Sequence, residues 1–229
     1  MKALRSLGFF INTLLGYLGL PLLGWGINHL QGFFSSLQRS SYAALIVILG
    51  FAVGYQAYDA PEGIRGGRGQ KGKRLQRQTV IRIVITLGLF AVLAFLPFAD
   101  RRNIGTLNDS EILRWLGLAL FVLGMGLIYW SGVLLGRMYS PDVTIQDRHR
   151  LVTNGIYQNI RHPRYLGAEL TGLGLALLFR SWVGLLINPV LLGLLLWRIK
   201  DEETTMHREF GELWEAYCQR SWRLIPHVW

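Results

Sequence analysis

The longest apolar run of the chain is ILRWLGLALFVLGMGLIYWSGVLLG, residues 112–136, which carries one charged side chain, Arg114. A helix rises about 1.5 Å per residue, so these 25 residues are long enough to cross a hydrocarbon core of roughly 30 Å. The apolar residues form a continuous block and do not alternate as they would in a half-buried strand. The run therefore predicts a membrane-spanning helix.

Five further apolar runs lie on either side of this stretch. They cover Leu7–Ile27, Tyr42–Tyr58, Val80–Phe98, Leu166–Phe179 and Trp182–Trp197. Such runs are typical of an integral membrane protein, and 229 residues suffice for one such bundle. The sequence predicts an all-α, polytopic membrane helix bundle of five to six transmembrane helices.

The last two runs are short, and only Arg180 and Ser181 separate them. Each is marginal as an independent span. Gly172, Gly174 and Gly184 would let neighbouring helices approach closely. We therefore expect a tight C-terminal helical hairpin, with a single kinked helix as the alternative.

The formal net charge of +10 is distributed unevenly along the chain. With six crossings and both termini on one side, 19 of the 24 lysines and arginines fall on that side, many of them in the loop 61–77. This asymmetry is the positive-inside pattern of a membrane protein, so we predict no nucleic-acid partner. It places residues 137–165 and the tail after Trp197 together on the cytoplasmic face, where the basic loop meets membrane lipid.

The tail also has the pattern of a surface helix. Charged residues alternate there with Met206, Phe210, Leu213, Trp214 and Tyr217 at helical spacing, interrupted by Gly211. The pattern predicts a cytoplasmic amphipathic tail helix.

The chain lacks the common soluble-enzyme motifs. It has no Walker loop, no HExxH and no Gly-x-Ser-x-Gly elbow, and its five histidines do not cluster. A single cysteine, Cys218, excludes an internal disulfide and a cysteine-rich metal site. We predict no bound metal.

Two polar segments remain, one at each end of the hairpin. In the first, Pro163 suits the first turn of a helix, which places His162 at the helix start and Tyr165 on the same side. In the second, Arg198 and Glu202 are four residues apart and share a helix face. Interfacial anchoring and capping would explain each segment alone, but ionisable residues at a membrane boundary are functional candidates.

These segments carry a resemblance to a known family. The stretch 146–165, QDRHRLVTNGIYQNIRHPRY, the hairpin after it, and the block Arg198…Glu202-Glu203…Phe210-Gly211 resemble the isoprenylcysteine carboxyl methyltransferase family, within a broader group that includes phospholipid methyltransferases. The resemblance covers about residues 115–226. It implies two regions: membrane helices with the basic loop over 1–110, and a methyltransferase-like catalytic membrane region over 111–229.

The resemblance implies S-adenosylmethionine as the cofactor. The cofactor-binding residues that it implies are Gln146, His149, Arg150, Leu151, Val152, Tyr157, His162, Pro163, Arg164, Tyr165 and Glu202. It also implies that Arg198 binds the substrate and that Arg198 and Glu202 are the catalytic pair. Glu202 has the charge to accept the cofactor's ammonium, and the start of a helix suits a carboxylate.

The acceptor is expected to be lipophilic, either a small molecule or a prenylated substrate, and most readily its carboxylate. A carboxylate is already ionised at neutral pH and needs no base, whereas an amine acceptor would require one, such as Glu203 or His162. Three alternatives stay open: a phospholipid N-methyltransferase, an NADPH-dependent membrane sterol or steroid reductase, which shares parts of the same motifs, and a non-catalytic membrane protein. The compact chain favours a bacterial inner membrane, and the oligomeric state is not predicted.

Overall fold

The computed structural model describes residues 2–59, 76–136 and 150–228, and these form a helical bundle. Its α-helices are α1 Lys2–Leu14, α2 Leu20–Trp25, α3 Leu30–Phe34, α4 Leu37–Asp59, α5 Gln76–Arg102, α6 Glu111–Leu135, α7 Pro163–Leu178, α8 Trp182–Phe210 and α9 Glu212–Arg220. No β-strand occurs in these ranges, which contain only two isolated bridges. Most of the basic loop 61–77 lies outside the described residues.

Five of the described helical stretches are long and apolar enough to cross a membrane. They are Lys2–Trp25, in which a π-helical turn joins α1 to α2, together with Leu37–Asp59, Ile83–Arg102, Glu111–Leu135 and Trp182–Phe210. The 16 residues of α7 form a shorter helix beside them. The all-α multi-pass membrane bundle with a C-terminal hairpin is therefore confirmed.

The hairpin and the tail begin and end at recognisable signals. Ser181 precedes α8, and its hydroxyl accepts a hydrogen bond from the amide of Gly184, which caps the helix. Only Phe179, Arg180 and Ser181 separate α7 from α8, so the single kinked helix is excluded. At the other end of α8, Gly211 has a φ of +50°, which ends the helix and turns the chain into α9. The tail is thus divided into the end of α8 and a separate short helix.

Helices α6 and α7 are in close backbone contact where glycines of one helix face glycines of the other. A Cβ atom added to Gly117 would lie 2.4 Å from the amide nitrogen of Leu178, and one added to Gly174 would lie 2.5 Å from that of Phe121. Further along the same contact, a Cβ on Gly124 would lie 2.5 Å from the carbonyl oxygen of Gly167. Small residues allow this approach, and it fixes α7 against the longest span.

Within the hairpin, α7 and α8 also meet at small residues. Gly172 faces the Asn188 side chain, and Gly184 lies against Ala176. Gly172 and Gly184 therefore have the role expected from the sequence, whereas Gly174 contacts α6 and not its hairpin partner.

A buried ion cluster joins several helix ends near the turn of the α7–α8 hairpin. The other end of the hairpin, where α7 begins beside the second half of α8, is called its open end below. Asp100, at the end of α5, is 2% exposed and accepts hydrogen bonds from two nitrogens of Arg114 at 2.9 and 3.1 Å. Arg180 approaches it to 2.7 Å, and Arg39 to 3.4 Å. The three arginines are buried and link α4, α5, α6 and the hairpin turn, a role that the sequence pattern did not indicate.

Candidate active site

The segment leading into α7 folds closely against the end of α6. Gly155 has a φ of +60°, and a Cβ there would lie 2.7 Å from a methyl carbon of Leu134, so glycine is required for both the turn and the contact. A short 3₁₀ helix, Gly155–Gln158, follows and buries Tyr157. Pro163 then occupies the first turn of α7 directly after His162, as the sequence predicted.

The C-terminal tail runs beside this segment as a short parallel pairing. The amides of Arg161 and His162 donate to the carbonyls of Trp222 and Arg223 at 2.8 and 3.1 Å, and the amide of Trp222 donates to Asn159 at 2.8 Å. Tail and helix start are therefore one local unit, although 60 residues separate them in sequence.

Two backbone amides of the first turn of α7 are used within the chain. The amides of Tyr165 and Leu166 both donate to the carbonyl of His162, at 3.1 and 3.2 Å. These two amides are therefore engaged and not free to hold an anion at this helix start.

Tyr165 connects the two polar segments directly. Its hydroxyl donates to Glu202 Oε2 at 2.7 Å and accepts from Arg198 Nε at 2.8 Å. Arg198 is 8% exposed, while Glu202 is half-buried. His162 stacks on the ring of Tyr165 with a centroid distance of 5.5 Å. The structure thus brings together four of the residues that the sequence singled out.

Glu203 lies beside this group and is surrounded by cationic or potentially cationic side chains. Its carboxylate accepts from Arg223 at 2.6 and 3.0 Å and from Arg161 at 3.2 Å, and it lies 3.3 Å from His162 Nε2. Arg161 also donates to the carbonyl of Cys218 at 3.2 Å and to that of Ser221. Glu203 therefore links α8, the start of α7 and the tail.

Sequence reasoning missed this arrangement. It considered Glu203 only as a base for an amine acceptor and gave no role to Arg161 or Arg223. The three residues come from separate segments, and no spacing rule relates them. In the sequence, the three residues stand out only because each is charged and close to a motif residue.

The remaining residues that the resemblance implied lie apart from this hydrogen-bonded group or outside the described residues. Gln146 and His149 lie outside the described residues. Arg150 is exposed, while Leu151 and Val152 are half-buried. Arg164 extends toward α6, where it donates to the carbonyl of Ile128 at 3.0 Å.

Tyr157 is 6% exposed, and its backbone carbonyl accepts a 2.6 Å hydrogen bond from the hydroxyl of Tyr217. Burial raises the pKa of Tyr217 to about 12, and it also raises the pKa of Tyr157. Both phenols are therefore uncharged at neutral pH. In the described ranges, no group of three or more histidine, cysteine, aspartate or glutamate side chains has the arrangement to hold a metal ion.

Comparisons with known proteins match the region that contains these residues. The sequence model of the family described as "Phospholipid methyltransferase" matches residues 112–213. A "Probable protein-S-isoprenylcysteine O-methyltransferase" of Oryza sativa is 28% identical over 132 residues, which are 53% of this chain and 65% of that protein. The corresponding protein of Schizosaccharomyces pombe is 34% identical over 118 residues, 48% of each chain.

A solved structure of the eukaryotic intramembrane Ras methyltransferase ICMT aligns over 99% of this chain and 95% of its own, with 19% identity and a TM-score of 0.48. The chain spans about two thirds or less of the length of the plant and yeast relatives that it matches. In the described ranges, the apolar helices are those of a multi-pass membrane protein, and the polar residues where α7 begins beside α8 form a candidate site. The C-terminal half of the chain is thus similar to the phospholipid methyltransferase family and to protein-S-isoprenylcysteine O-methyltransferases.

Proposed function

We propose that this chain is a membrane methyltransferase that uses S-adenosylmethionine to methylate the carboxylate of a lipophilic, prenylcysteine-like acceptor. The observation that carries the proposal is the hydrogen-bonded group Arg198–Tyr165–Glu202 at the open end of the hairpin. In this group, Arg198 is a cation suited to an anionic acceptor, and Glu202 is an anion suited to the cofactor's ammonium. The hydroxyl of Tyr165 bridges the two.

The side chains present fit S-adenosylmethionine. Glu202 uses Oε2 for Tyr165, and its Oε1 has no hydrogen-bond partner in the described chain, so this oxygen is available to the cofactor's ammonium. Leu151, Val152 and Tyr157 offer apolar and aromatic surface for its adenine. His162, Pro163, Arg164 and Tyr165 would line the same site, and Gln146, His149 and Arg150 complete the proposed contacts. The cofactor, when bound, supplies an electrophilic methyl group.

The protein's part in the reaction is to position the acceptor. The acceptor carboxylate is ionised at neutral pH, so no side chain has to remove a proton. Arg198 neutralises and orients this carboxylate, and the hydrogen bond from its Nε to Tyr165 fixes the plane of the guanidinium group. Burial of Arg198 strengthens its attraction for an anion relative to a site in water. The rate would then arise from orientation and electrostatics.

An amine acceptor, as in a phospholipid N-methyltransferase, is the second candidate, because the matching family model is that of phospholipid methyltransferases. Such an acceptor would have to lose a proton first. Glu203 is held by two arginines, and His162 Nε2 lies 3.3 Å from it, so both earlier base candidates are engaged elsewhere. This favours the carboxylate.

The charge distribution supports a site on the cytoplasmic face. The site lies at the same end of the bundle as residues 2–6 and the end of α4, where Ser6 donates to the carbonyl of Gly54. Among the described residues, more lysines and arginines lie at this end than at the opposite one, as the positive-inside rule requires of a cytoplasmic surface. We place the chain in a bacterial inner membrane, with the lipid chain of the acceptor in the bilayer.

The proposal is tested by two measurements on the detergent-purified protein. Calorimetry should show binding of S-adenosylhomocysteine and none of NADPH; the opposite selectivity would indicate a reductase, and weak binding of both a non-catalytic protein. Transfer of labelled methyl from S-adenosylmethionine to S-farnesylcysteine should then give a base-labile product, because esters are hydrolysed by alkali and N-methyl groups are not. A base-stable product would identify an amine acceptor.

A further inference from the structure

A polar cavity lies at the end of the bundle opposite the candidate active site. Its volume is about 570 Å³, within the range of roughly 300–1,000 Å³ that small-ligand sites occupy. It is formed where the start of α4 lies near the start of α6, and it is lined by residues 35–39, Asp109, Glu111, Arg114 and Trp115. The function proposed above uses none of these residues, so the cavity needs an explanation of its own.

Two buried arginines of the ion cluster line this cavity. Arg39 is 8% exposed and Arg114 is 5% exposed. A guanidinium group has five N–H donors, of which Arg39 gives three to acceptors in the described chain and Arg114 gives four. Three donors of the pair therefore remain for a ligand. The two arginines and Arg180 also share one buried carboxylate, that of Asp100, so this wall of the cavity has excess positive charge.

Two exposed carboxylates line the same cavity. One oxygen of Asp109 accepts a hydrogen bond from Arg114 Nε at 3.0 Å. Glu111 forms no hydrogen bond or ion pair with any residue that the structure describes. It lies three residues before Arg114 on α6, so their Cβ atoms are about 5–6 Å apart. One small ligand with a charge of each sign could therefore reach the arginines and the carboxylates together.

Apolar side chains continue from the cavity onto the outer surface of the bundle. Leu37 and Trp115 line the cavity and are exposed, and Ile112 in the first turn of α6 is exposed beside them. These residues belong to the first turns of two of the spans, Leu37–Asp59 and Glu111–Leu135, so the cavity lies at a membrane boundary, where tryptophan is enriched. A polar head bound in the cavity would leave an attached acyl chain against this apolar surface.

The charges of the cavity favour one class of lipid headgroup. Arginine binds phosphate through charge-assisted hydrogen bonds, and basic pockets between membrane helices bind lipid headgroups. A purely anionic headgroup would be repelled by Asp109 and Glu111. A choline group is cationic but has no N–H to donate to these carboxylates, whereas a primary ammonium has three N–H donors.

We infer that this cavity binds the headgroup of a zwitterionic aminophospholipid, with the phosphate at Arg39 and Arg114 and the ammonium at Asp109 and Glu111. The lipid would then contact the starts of α4 and α6 together and would stabilise the folded bundle by binding to it. The inference does not depend on methyl transfer.

The experiment measures the binding of three ligands to the detergent-purified protein by calorimetry. They are a short-chain phosphatidylethanolamine, its N-acetyl derivative, which keeps the phosphate and loses the ammonium, and O-phosphoethanolamine, which has both charges and no acyl chain. Wild-type protein should bind phosphatidylethanolamine about tenfold or more tightly than either of the others, because each lacks a charge-assisted contact or an apolar one. Saturating phosphatidylethanolamine should also raise the thermal unfolding midpoint.

Two variants separate the ammonium contact from the phosphate contact. Glu111→Gln should remove the preference for phosphatidylethanolamine over its N-acetyl derivative without weakening the binding of that derivative. Ser35→Glu adds a carboxylate to the lining of the cavity and should weaken the binding of both lipids, because it repels their phosphates. Ser35 and Glu111 are both exposed, so the unfolding midpoints of the two variants without lipid should match that of the wild type.

Glu209→Gln is the matched control, because it neutralises an exposed glutamate of α8 at the other end of the bundle and should change none of the affinities. Equal affinity of wild-type protein for phosphatidylethanolamine and its N-acetyl derivative would overturn the inference. So would a preference that Glu111→Gln leaves intact, since the lipid would then bind elsewhere, for example as an amine acceptor at the candidate active site. Binding of O-phosphoethanolamine as tight as that of the lipid would also overturn it, in favour of a soluble zwitterion.

Discussion

Tyr165 on α7 donates a 2.7 Å hydrogen bond to Glu202 on α8, and the same hydroxyl accepts from Arg198 one turn earlier on that helix. The proposed cofactor partner and the proposed acceptor partner are thus held by one phenol. A change in either residue will shift the other through this oxygen, so the two roles have to be separated by different measurements.

Glu202→Gln should weaken binding of S-adenosylhomocysteine by about tenfold or more, because it removes the negative charge proposed to face the ligand's ammonium. The amide retains the shape of the side chain and an oxygen for Tyr165, so the fold should be kept. Calorimetry measures the affinity, and Glu212→Gln, which neutralises an exposed carboxylate on α9, is the control. An unchanged affinity in Glu202→Gln would refute the cofactor role.

Arg198→Lys should leave the affinity for S-adenosylhomocysteine unchanged and lower kcat/KM for S-farnesylcysteine by roughly tenfold to a hundredfold. Lysine keeps the charge but loses the planar fork that orients a carboxylate. The conservative replacement Lys200→Arg on the exposed side of α8 should alter neither quantity. If turnover survives Arg198→Lys and also Arg198→Ala, Arg198 is only an interfacial anchor.

Tyr165→Phe tests the hydrogen-bonded connection itself. Loss of the hydroxyl should reduce kcat by about tenfold and lower the thermal unfolding midpoint modestly, because the buried Arg198 loses its hydrogen bond to Tyr165 while the ring continues to stack on His162. Residues in one hydrogen-bond network show coupled effects, so Tyr165→Phe and Arg198→Lys together should cost less than the product of their separate effects. Independent, multiplicative effects on kcat would contradict the connection.

The sequence predicted the features that depend on local pattern. Run lengths predicted the spans, and the glycines predicted the close hairpin. The three-residue spacing of His162 and Tyr165 placed both rings on one side of α7, where they stack. The four-residue spacing of Arg198 and Glu202 likewise placed both on one face of α8, and the structure shows that this face meets Tyr165. Each of these relationships arises within one helix or between sequence neighbours.

The features that the sequence did not predict depend on residues far apart in the chain. Glu203 meets Arg161 and Arg223 only because the tail pairs with the segment before α7. Asp100 and Arg180 meet across 80 residues. Hydropathy patterns treat such charges as interfacial, since a pattern along one helix does not contain the position of another. The cofactor and acceptor roles, and the division into regions 1–110 and 111–229, stay predictions.

The backbone contact between α6 and α7 can be tested with two glycines of the same helix. Gly124→Ala should lower the unfolding midpoint in detergent, because its Cβ would lie 2.5 Å from the backbone oxygen of Gly167, which cannot move independently of α7. Gly126→Ala adds the same methyl group where nothing lies within 4 Å, and should be neutral or slightly stabilising. Equal midpoints for the two variants would show that the helices are not in backbone contact.

The buried ion cluster makes the corresponding prediction for the opposite end of the bundle. Asp100→Asn should destabilise the protein by about 3–5 kcal/mol, because it leaves Arg114, Arg180 and Arg39 close together without the carboxylate that they share. Asp109 also contacts Arg114, at 3.0 Å, but its side chain is 67% exposed, so Asp109→Asn should cost less than about 1 kcal/mol. Thermal unfolding in detergent compares the stability of the two variants.

The affinity of folded Asp100→Asn protein for S-adenosylhomocysteine should match that of the wild type, since the candidate site lies at the other ends of the helices. A similar small loss of stability in both variants would mean that water or lipid headgroups, and not burial, determine the cost at Asp100.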